Sequence, residues 1–173
     1  MINEVLNHFG KLDILINNAG VIYPKSDLEK IHSEQLENTF KVNVFSYFYL
    51  TKAALPFMKP GCTIINTSSI AAFKPYDFAI DYQASKAAVS AFTRGLALML
   101  MKRGIRVNSV APGETWTPLI PAAFNENETA NWGANTPYGR AAQPFEMAQA
   151  YVFLASDDSS YMNGHTLKNY PDF

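Results

Sequence analysis

The chain is poor in cysteine, in charge and in long apolar runs. Cys62 is the single cysteine among 173 residues, so no internal disulfide can form, and a reducing, cytoplasmic setting is expected. Charged residues make up 17% of the chain and the net charge is -1, which gives no electrostatic reason to expect nucleic acid or an anionic membrane as a partner. No apolar stretch reaches the length of a membrane span, so no membrane partner is expected.

Three chemical patterns are also missing. One cysteine and three scattered histidines form no ligand cluster, so no metal site is predicted. There is no G-x-S-x-G turn, which argues against a serine hydrolase. There is no G-x-G-x-x-G or related glycine cluster, so the usual turn that binds a dinucleotide pyrophosphate has no counterpart in these residues.

What the sequence contains is an alternation of short apolar runs and helical periodicity. Apolar residues make up 48% of the chain, enough for one globular domain with a core. The predicted strands lie at 12–16, 63–67, 105–111 and 166–168, and the predicted helices at 34–58, 81–103 and 145–155. This order predicts an α/β fold with one parallel sheet and helices on both faces, in which the 12–16 strand is buried on both faces and the 63–67 strand is also buried. Residues 114–143 lack periodicity and are typical of a binding loop or lid.

The residues that follow the strands are small or polar. Right-handed crossovers place the carboxyl ends of parallel strands at one edge of the sheet, where open α/β sheets bind ligands. Asn-Asn-Ala-Gly at 17–20, Ser69 and Pro-Gly at 112–113 all belong to that edge. Tyr82 and Lys86 are four residues apart and therefore share one face of the next helix. Each feature alone is also common in turns or on surfaces, but their convergence indicates an acid–base site.

In their order and spacing, these elements resemble the short-chain dehydrogenase/reductase family over nearly the whole chain. The matching elements are Asn-Asn-Ala-Gly at 17–20, Lys-Val-Asn-Val at 41–44, the serines at 68–69, Tyr-x-x-x-Lys at 82–86 and Pro-Gly at 112–113 with a threonine four residues later. Within the family the chain is most similar to bacterial NAD(P)-dependent reductases related to general stress proteins. The resemblance implies a Rossmann-like, doubly wound sheet and hydride transfer between NAD or NADP and a small alcohol, aldehyde or ketone.

The resemblance also implies a role for each matched residue. Tyr82 is the expected general acid/base, and Lys86 is expected to lower its pKa and hold the nicotinamide ribose. Ser69 is expected to orient the substrate oxygen, and Asn43 to hold a water that links Lys86 to solvent. The cofactor-binding residues implied, besides Tyr82 and Lys86, are Asn18, Ala19 and Gly20 on the adenosine side and Pro112, Gly113, Thr115 and Thr117 at the nicotinamide end.

The chain departs from the family pattern where the first βαβαβ unit is expected. That unit carries the glycine-rich turn and the residue that distinguishes NAD from NADP. Residues 1–173 are therefore expected to form a single partial, N-terminally truncated domain whose 12–16 strand presents an open edge. Two explanations remain open, namely part of a longer enzyme or a truncated, inactive relative that acts only by binding or oligomerising. Helices 34–58 and 81–103 are apolar on more than one side and, as in the family, are expected to pair in a homodimer or homotetramer.

Overall fold

A computed structural model describes residues 1–171, which form one parallel sheet flanked by helices. The strands are β1 (Ile14–Asn17), β2 (Thr63–Thr67), β3 (Arg106–Pro112) and β4 (Thr166–Asn169), paired in that spatial order. Every pairing is parallel, and the register aligns Asn17 with Asn66 and Asn66 with Ser109. The expected α/β fold with about four parallel strands is confirmed, and β1 lies at one edge of the described sheet.

The helices alternate with the strands along the chain. The α-helices are α1 (Ile2–Phe9), α2 (Ser33–Phe40), α3 (Ser46–Ala54), α4 (Ile80–Leu100), α5 (Leu119–Ala123), α6 (Glu126–Ala130) and α7 (Pro144–Ala155). Short 3-10 turns occupy Leu28–Lys30, Leu55–Phe57, Ile70–Ala72, Met101–Arg103 and Asp157–Ser159. Within residues 1–171, no helix combines the length and the apolar character needed to cross a bilayer.

Two apolar clusters lie on opposite faces of the sheet, because successive side chains of a strand point to opposite sides. Ile64 of β2 belongs to the cluster packed by α3 and α4, which also contains Leu96 and Leu100. Its neighbour Ile65 belongs to the cluster beneath α7, with Leu154. Helices therefore cover both faces, as a doubly wound sheet requires.

The expectation that the 12–16 strand is buried on both faces is wrong. In β1 the residues alternate, with Leu15 buried at 6% exposure while Ile14 and Ile16 are 44% and 45% exposed. Helix α3 packs against β1, and Leu15 joins the cluster that α3 and α4 cover. An apolar run of this length shows that a strand is hydrophobic but does not show how many of its faces are covered.

The helix expected at 34–58 is interrupted at Asn43, one of the candidate site residues. Lys41–Phe45 forms one π-helical turn between α2 and α3, and it carries the buried side chain of Asn43. Such turns insert one residue into the helical ladder and are frequent at functional sites. The helix expected at 81–103 is present as α4 and the Met101–Arg103 turn, and it ends at Gly104 with φ 67°.

Residues 114–143 are more ordered than their lack of periodicity suggests. They contain α5 and α6, and their two ends are joined by an isolated parallel bridge between Thr115 and Ala142. The amide of Trp116 donates to the Ala142 carbonyl at 2.8 Å, and the amide of Ala142 donates to the Glu114 carbonyl at 2.9 Å. The segment is therefore a folded flap with a closed base. A single-sequence pattern misses it because each helix has only five residues.

Candidate active site

A cleft of about 840 Å³ lies at the carboxyl ends of the first three strands. It contains every candidate site residue from the sequence except Asn43. These residues are Asn18, Ala19, Gly20, Ser69, Tyr82, Lys86, Pro112, Gly113, Thr115 and Thr117. Segments that are distant in the sequence therefore meet in one place, as expected from the parallel topology.

Tyr82 lies in the first turn of α4, and its phenol is paired with Ser69. Ser69 sits just before the Ile70–Ala72 turn, where its Oγ accepts a hydrogen bond from the amide of Ala71 at 3.1 Å. Burial raises the pKa of Tyr82, and the hydrogen bond with the Ser69 side chain opposes that rise only in part. Desolvation of the phenolate outweighs this hydrogen bond, and the expected lowering of the Tyr82 pKa by Lys86 stays a prediction. The Tyr82 phenol is therefore protonated at neutral pH, as the ordinary pKa of tyrosine already implies.

Lys86 is a buried ammonium on the same face of α4. Its side chain is enclosed, with the residue only 3% exposed, and Nζ donates to the Thr67 carbonyl at 2.9 Å. Nζ lies 5.7 Å from the centroid of the Tyr82 ring and 5.9 Å from that of Tyr47. Burial lowers the pKa of Lys86 to about 8. An ammonium has three donors, so two remain to bind a ligand in the cleft.

Gly20 brings the main chain close to this ammonium. A Cβ at position 20 would lie 3.4 Å from Lys86 Nζ and 3.6 Å from Asn43 Oδ1. The glycine of the Asn-Asn-Ala-Gly run therefore leaves space between the end of β1 and the functional groups of α4. Gly113 has a different constraint, since a Cβ there would lie 2.7 Å from the Cβ of Tyr170.

Asn43 does not line the cleft, but it links the segment after β1 to helix α4. Its Oδ1 accepts from the amide of Val21 at 2.8 Å, and its Nδ2 donates to the Val21 carbonyl at 2.9 Å and to Ser85 Oγ at 3.0 Å. Both amide hydrogens are thereby used. Asn43 thus fixes the chain after Gly20 against the residue that precedes Lys86. Its expected role in holding a water stays a prediction.

Thr67, which the sequence reasoning missed, organises the floor of the cleft. Its carbonyl accepts from Lys86 Nζ and from the Tyr47 hydroxyl at 3.3 Å. Its Oγ1 is hydrogen-bonded to Asn18 Oδ1 at 2.9 Å and to the Tyr151 hydroxyl at 2.8 Å. The available signal was its position, since Thr67 is the last residue of β2 and shares the sheet edge with Ser69.

Buried asparagines hold the strand ends in register beneath the cleft. Asn17 Nδ2 donates to Asn66 Oδ1 at 2.8 Å and to Thr51 Oγ1 at 3.1 Å. Asn66 Nδ2 donates in turn to Thr93 Oγ1 on α4 at 3.0 Å. These bonds connect β1, β2, α3 and α4, so the first asparagine of the Asn-Asn-Ala-Gly run is a structural member of the site.

A second set of residues lines the cleft beyond Ser69 and was not singled out from the sequence. The Tyr76 hydroxyl donates to Glu114 Oε1 at 3.0 Å, which joins the loop after β2 to the loop after β3. Burial and the nearby Glu114 raise the pKa of Tyr76. Gln83 binds the same loop through hydrogen bonds with Tyr76 and Phe78. The one available signal for Gln83 was its place between Tyr82 and Lys86.

With this geometry in place, sequence comparison identifies the family. The family model described as enoyl-(acyl carrier protein) reductase matches residues 1–169. The chain belongs to the short-chain dehydrogenase/reductase family. It is 54% identical to general stress protein 39 of Bacillus subtilis over 166 residues and 53% identical to NADPH-dependent aldehyde reductase 1 of Arabidopsis thaliana over 168 residues. It is also 52% identical to the glucose and ribitol dehydrogenase of Daucus carota over 167 residues.

Members of the family with solved structures share this fold. A short-chain dehydrogenase from Burkholderia cenocepacia in complex with NADP superposes with a TM-score of 0.87 at 31% identity, covering 96% of this chain and 67% of that one. A 3-ketoacyl-(acyl-carrier-protein) reductase from Brucella melitensis complexed with NADH gives 0.84 at 30% identity, with 96% and 69% covered. The three curated relatives named above are each matched over 96% of this chain but only 57% or 58% of their own length.

Proposed function

We propose that this chain carries the substrate and nicotinamide end of an NAD(P)-dependent oxidoreductase that interconverts a carbonyl compound and its alcohol. The observation that supports this most directly is the pairing of the Tyr82 phenol with Ser69, beside the buried ammonium of Lys86. The three groups come from two separate segments and meet in a cleft that can hold a small molecule. Asn43 supports these groups through its hydrogen bonds to Val21 and Ser85.

The residues present fit the ribose and nicotinamide of a dinucleotide cofactor. Lys86 has two free donors for ribose hydroxyls, and the missing side chain at Gly20 keeps the space next to its Nζ open. Pro112, Gly113 and Thr115 line the cleft after β3, where the nicotinamide end is proposed to lie. Complexes of family members with NADH and with NADP support a nicotinamide cofactor in general. We therefore propose NAD or NADP for this chain.

In this proposal, a reduced nicotinamide cofactor, when bound, would provide the hydride for the carbonyl carbon. Tyr82 donates its hydroxyl proton to the carbonyl oxygen, so each carbonyl gains one hydride and one proton and becomes an alcohol. Ser69 hydrogen-bonds the same oxygen and fixes its position relative to the phenol. The positive charge of Lys86 stabilises the phenolate that Tyr82 becomes, until a proton from solvent restores the phenol. Alcohol oxidation follows the same path in reverse.

The test is nicotinamide-dependent turnover by the chain and by Tyr82→Phe. NADH and NADPH oxidation are followed with a panel of aldehydes and ketones, and binding of each cofactor is measured separately through its fluorescence. The phenylalanine variant is expected to retain cofactor binding and to lose most of its turnover, about a hundredfold or more, since it lacks the proton donor. Unchanged turnover in the variant would remove Tyr82 from its proposed role. Cofactor binding without turnover in the unmodified chain would favour the noncatalytic alternative.

A second proposal concerns self-association, and it is supported by an exposed apolar face shared by α3 and α4. Phe48 and Phe92 connect the two helices, with ring centroids 4.2 Å apart. Phe45 of the π-helical turn and Leu98 and Met99 of α4 are also exposed, at 45%, 73% and 77%. Single apolar residues on a surface are ordinary, but several large exposed apolar side chains on neighbouring helical segments support an interface. We propose a homodimer or homotetramer through this face and, from the cysteine content, a cytoplasmic location.

A further inference from the structure

Four aromatic rings form a continuous wall along part of the cleft. Tyr76 and Phe78 stack with centroids 5.2 Å apart, Phe78 meets Phe124 edge-on at 5.9 Å, and Phe124 lies 4.9 Å from Trp132. All four residues line the cleft. The first two precede α4 and the last two belong to the flap at 114–143, so the wall is made by two separate segments.

The wall begins next to the reacting groups. Ile70 and Ala71 follow Ser69 directly and also line the cleft, as does Ile120 of α5. Gln83, the residue after Tyr82, is hydrogen-bonded to the backbone of Tyr76 and Phe78 and thereby ties the wall to the start of α4. A substrate whose oxygen is held by Ser69 and Tyr82 therefore extends its remaining atoms toward apolar and aromatic side chains.

Most polar groups in this wall are paired within the protein, whereas the indole Nε1 of Trp132 is buried without a partner among the described residues. Gln83 uses both amide hydrogens on the carbonyls of Tyr76 and Phe78, at 3.0 and 2.8 Å, and its Oε1 accepts from the Tyr76 amide at 3.1 Å. Glu114 Oε1 accepts a hydrogen bond from the Tyr76 hydroxyl, and Thr115 Oγ1 donates to the Gly113 carbonyl at 3.0 Å. These groups shape the wall, and binding a ligand's hydroxyls would require breaking their existing bonds.

This arrangement discriminates between two classes of carbonyl compound. An aromatic ring gains free energy by leaving water and by stacking on the wall. A sugar would have to bury several hydroxyls against side chains that offer them few partners, and each unpaired hydroxyl is costly. Resting on the proposed function, we infer that the cleft accepts aromatic aldehydes, reduced to the corresponding alcohols, in preference to polyhydroxylated sugars.

The kinetic test compares benzyl alcohol with D-glucose as the substrate for oxidation, the reverse of the proposed reduction, because D-glucose in water is almost entirely cyclic and presents very little aldehyde. Benzyl alcohol is expected to have the higher kcat/KM, and Phe124→Ala is expected to lower that value by about tenfold, since the variant removes one face of the ring's contact surface. Phe57→Ala is the matched control, because Phe57 is 43% exposed on the Leu55–Phe57 turn and does not line the cleft. Higher kcat/KM for D-glucose, or equal loss in the two variants, would overturn the inference while leaving the oxidoreductase proposal intact.

A binding measurement tests the inference without turnover. Trp116→Phe leaves Trp132 as the single tryptophan, and Trp116 itself does not line the cleft. In this background, 4-nitrobenzaldehyde is expected to quench the Trp132 fluorescence saturably, and D-glucose is expected not to compete with it. Adding Phe124→Ala should weaken the apparent affinity by about tenfold. If the chain shows no nicotinamide-dependent turnover, saturable quenching still supports the ligand class, whereas absent quenching or full displacement by D-glucose refutes it.

Discussion

Replacing Lys86 by methionine should stabilise the folded chain at neutral pH while removing its proposed function. Methionine keeps much of the length and all of the apolar character of the lysine side chain but carries no charge. Lys86 is buried in the folded state, where its ammonium donates to the Thr67 carbonyl. In the unfolded state the same ammonium is hydrated by water. The folded state therefore holds a charged group that the unfolded state solvates better.

The size of the effect follows from the pKa. Burial lowers the pKa of Lys86 from its ordinary value of 10.5 to about 8. Each pKa unit corresponds to about 1.4 kcal/mol, so the ammonium destabilises the folded state by roughly 3 kcal/mol at pH 7. Lys86→Met loses one hydrogen bond of about 1 kcal/mol, but the Thr67 carbonyl keeps the Tyr47 hydroxyl as a donor. The variant should therefore be more stable than the unmodified chain by about 2 kcal/mol at pH 7.

The sign of the pH dependence makes the prediction specific. Between pH 8 and 10.5 the lysine is neutral when folded and protonated when unfolded, so unfolding takes up a proton. The free energy of unfolding of the unmodified chain should rise with pH in this window, by up to about 1.4 kcal/mol per pH unit relative to Lys86→Met. Below pH 8 both states are protonated and the difference should be constant.

Urea denaturation followed by circular dichroism between pH 7 and 10 measures this difference directly. The buried tyrosines contribute equally to both proteins and cancel in the comparison. Lys52→Met, at an exposed position of α3, is the control and should show no such pH-dependent difference. A Lys86→Met variant that is less stable at pH 7, with a difference that stays flat up to pH 10, would refute a buried ammonium with a lowered pKa.

Two further predictions concern the support of the site and the assembly. Asn43→Ala should lower the free energy of unfolding by about 2–3 kcal/mol, because it leaves the backbone groups of Val21 and the Ser85 hydroxyl without their partner. Lost turnover with unchanged urea denaturation would instead favour the water-holding role. Leu98→Glu should shift the oligomer to a monomer in size-exclusion chromatography with light scattering, since it places a charge in the exposed apolar face. An unmodified chain that is already monomeric would contradict the interface.

The part of the site that could be predicted from sequence depends on local rules. Strands of a parallel sheet end at one edge, and residues four apart on a helix share a face, so these rules predict that the Asn-Asn-Ala-Gly run at 17–20, Ser69, Tyr82 and Lys86 lie together. The cleft lining confirms that placement for 18–20, Ser69, Tyr82 and Lys86, whereas Asn17 does not line the cleft and bonds to Asn66 and Thr51 instead. The fold class was predictable for the same reason, since the alternation of apolar runs and helical periodicity leaves few topologies open.

What could not be predicted depends on contacts between distant segments. The π-helical turn carries Asn43, whose hydrogen-bond partners Val21 and Ser85 lie 22 and 42 residues away in sequence, so spacing alone does not indicate them. The exposure of Ile14 and Ile16 depends on which face of β1 other elements cover, and an apolar run carries no information about that. The burial that raises the pKa of Tyr82 likewise could not be predicted, because spacing shows a neighbouring charge but does not show the degree of burial.

Burial also connects the chemistry of the site with its proposed substrate. The enclosed environment that favours an aromatic ring over a sugar also disfavours charge on the residues next to it. It raises the pKa of Tyr82 and lowers that of Lys86, so both residues shift toward their neutral forms. A phenol that holds its proton is suited to donate it to a carbonyl oxygen. A more polar cleft would solvate a sugar better, but it would also reduce the pKa shifts that burial causes in Tyr82 and Lys86. The apolar wall and the protonated phenol are thus two aspects of one property, the burial of this part of the cleft.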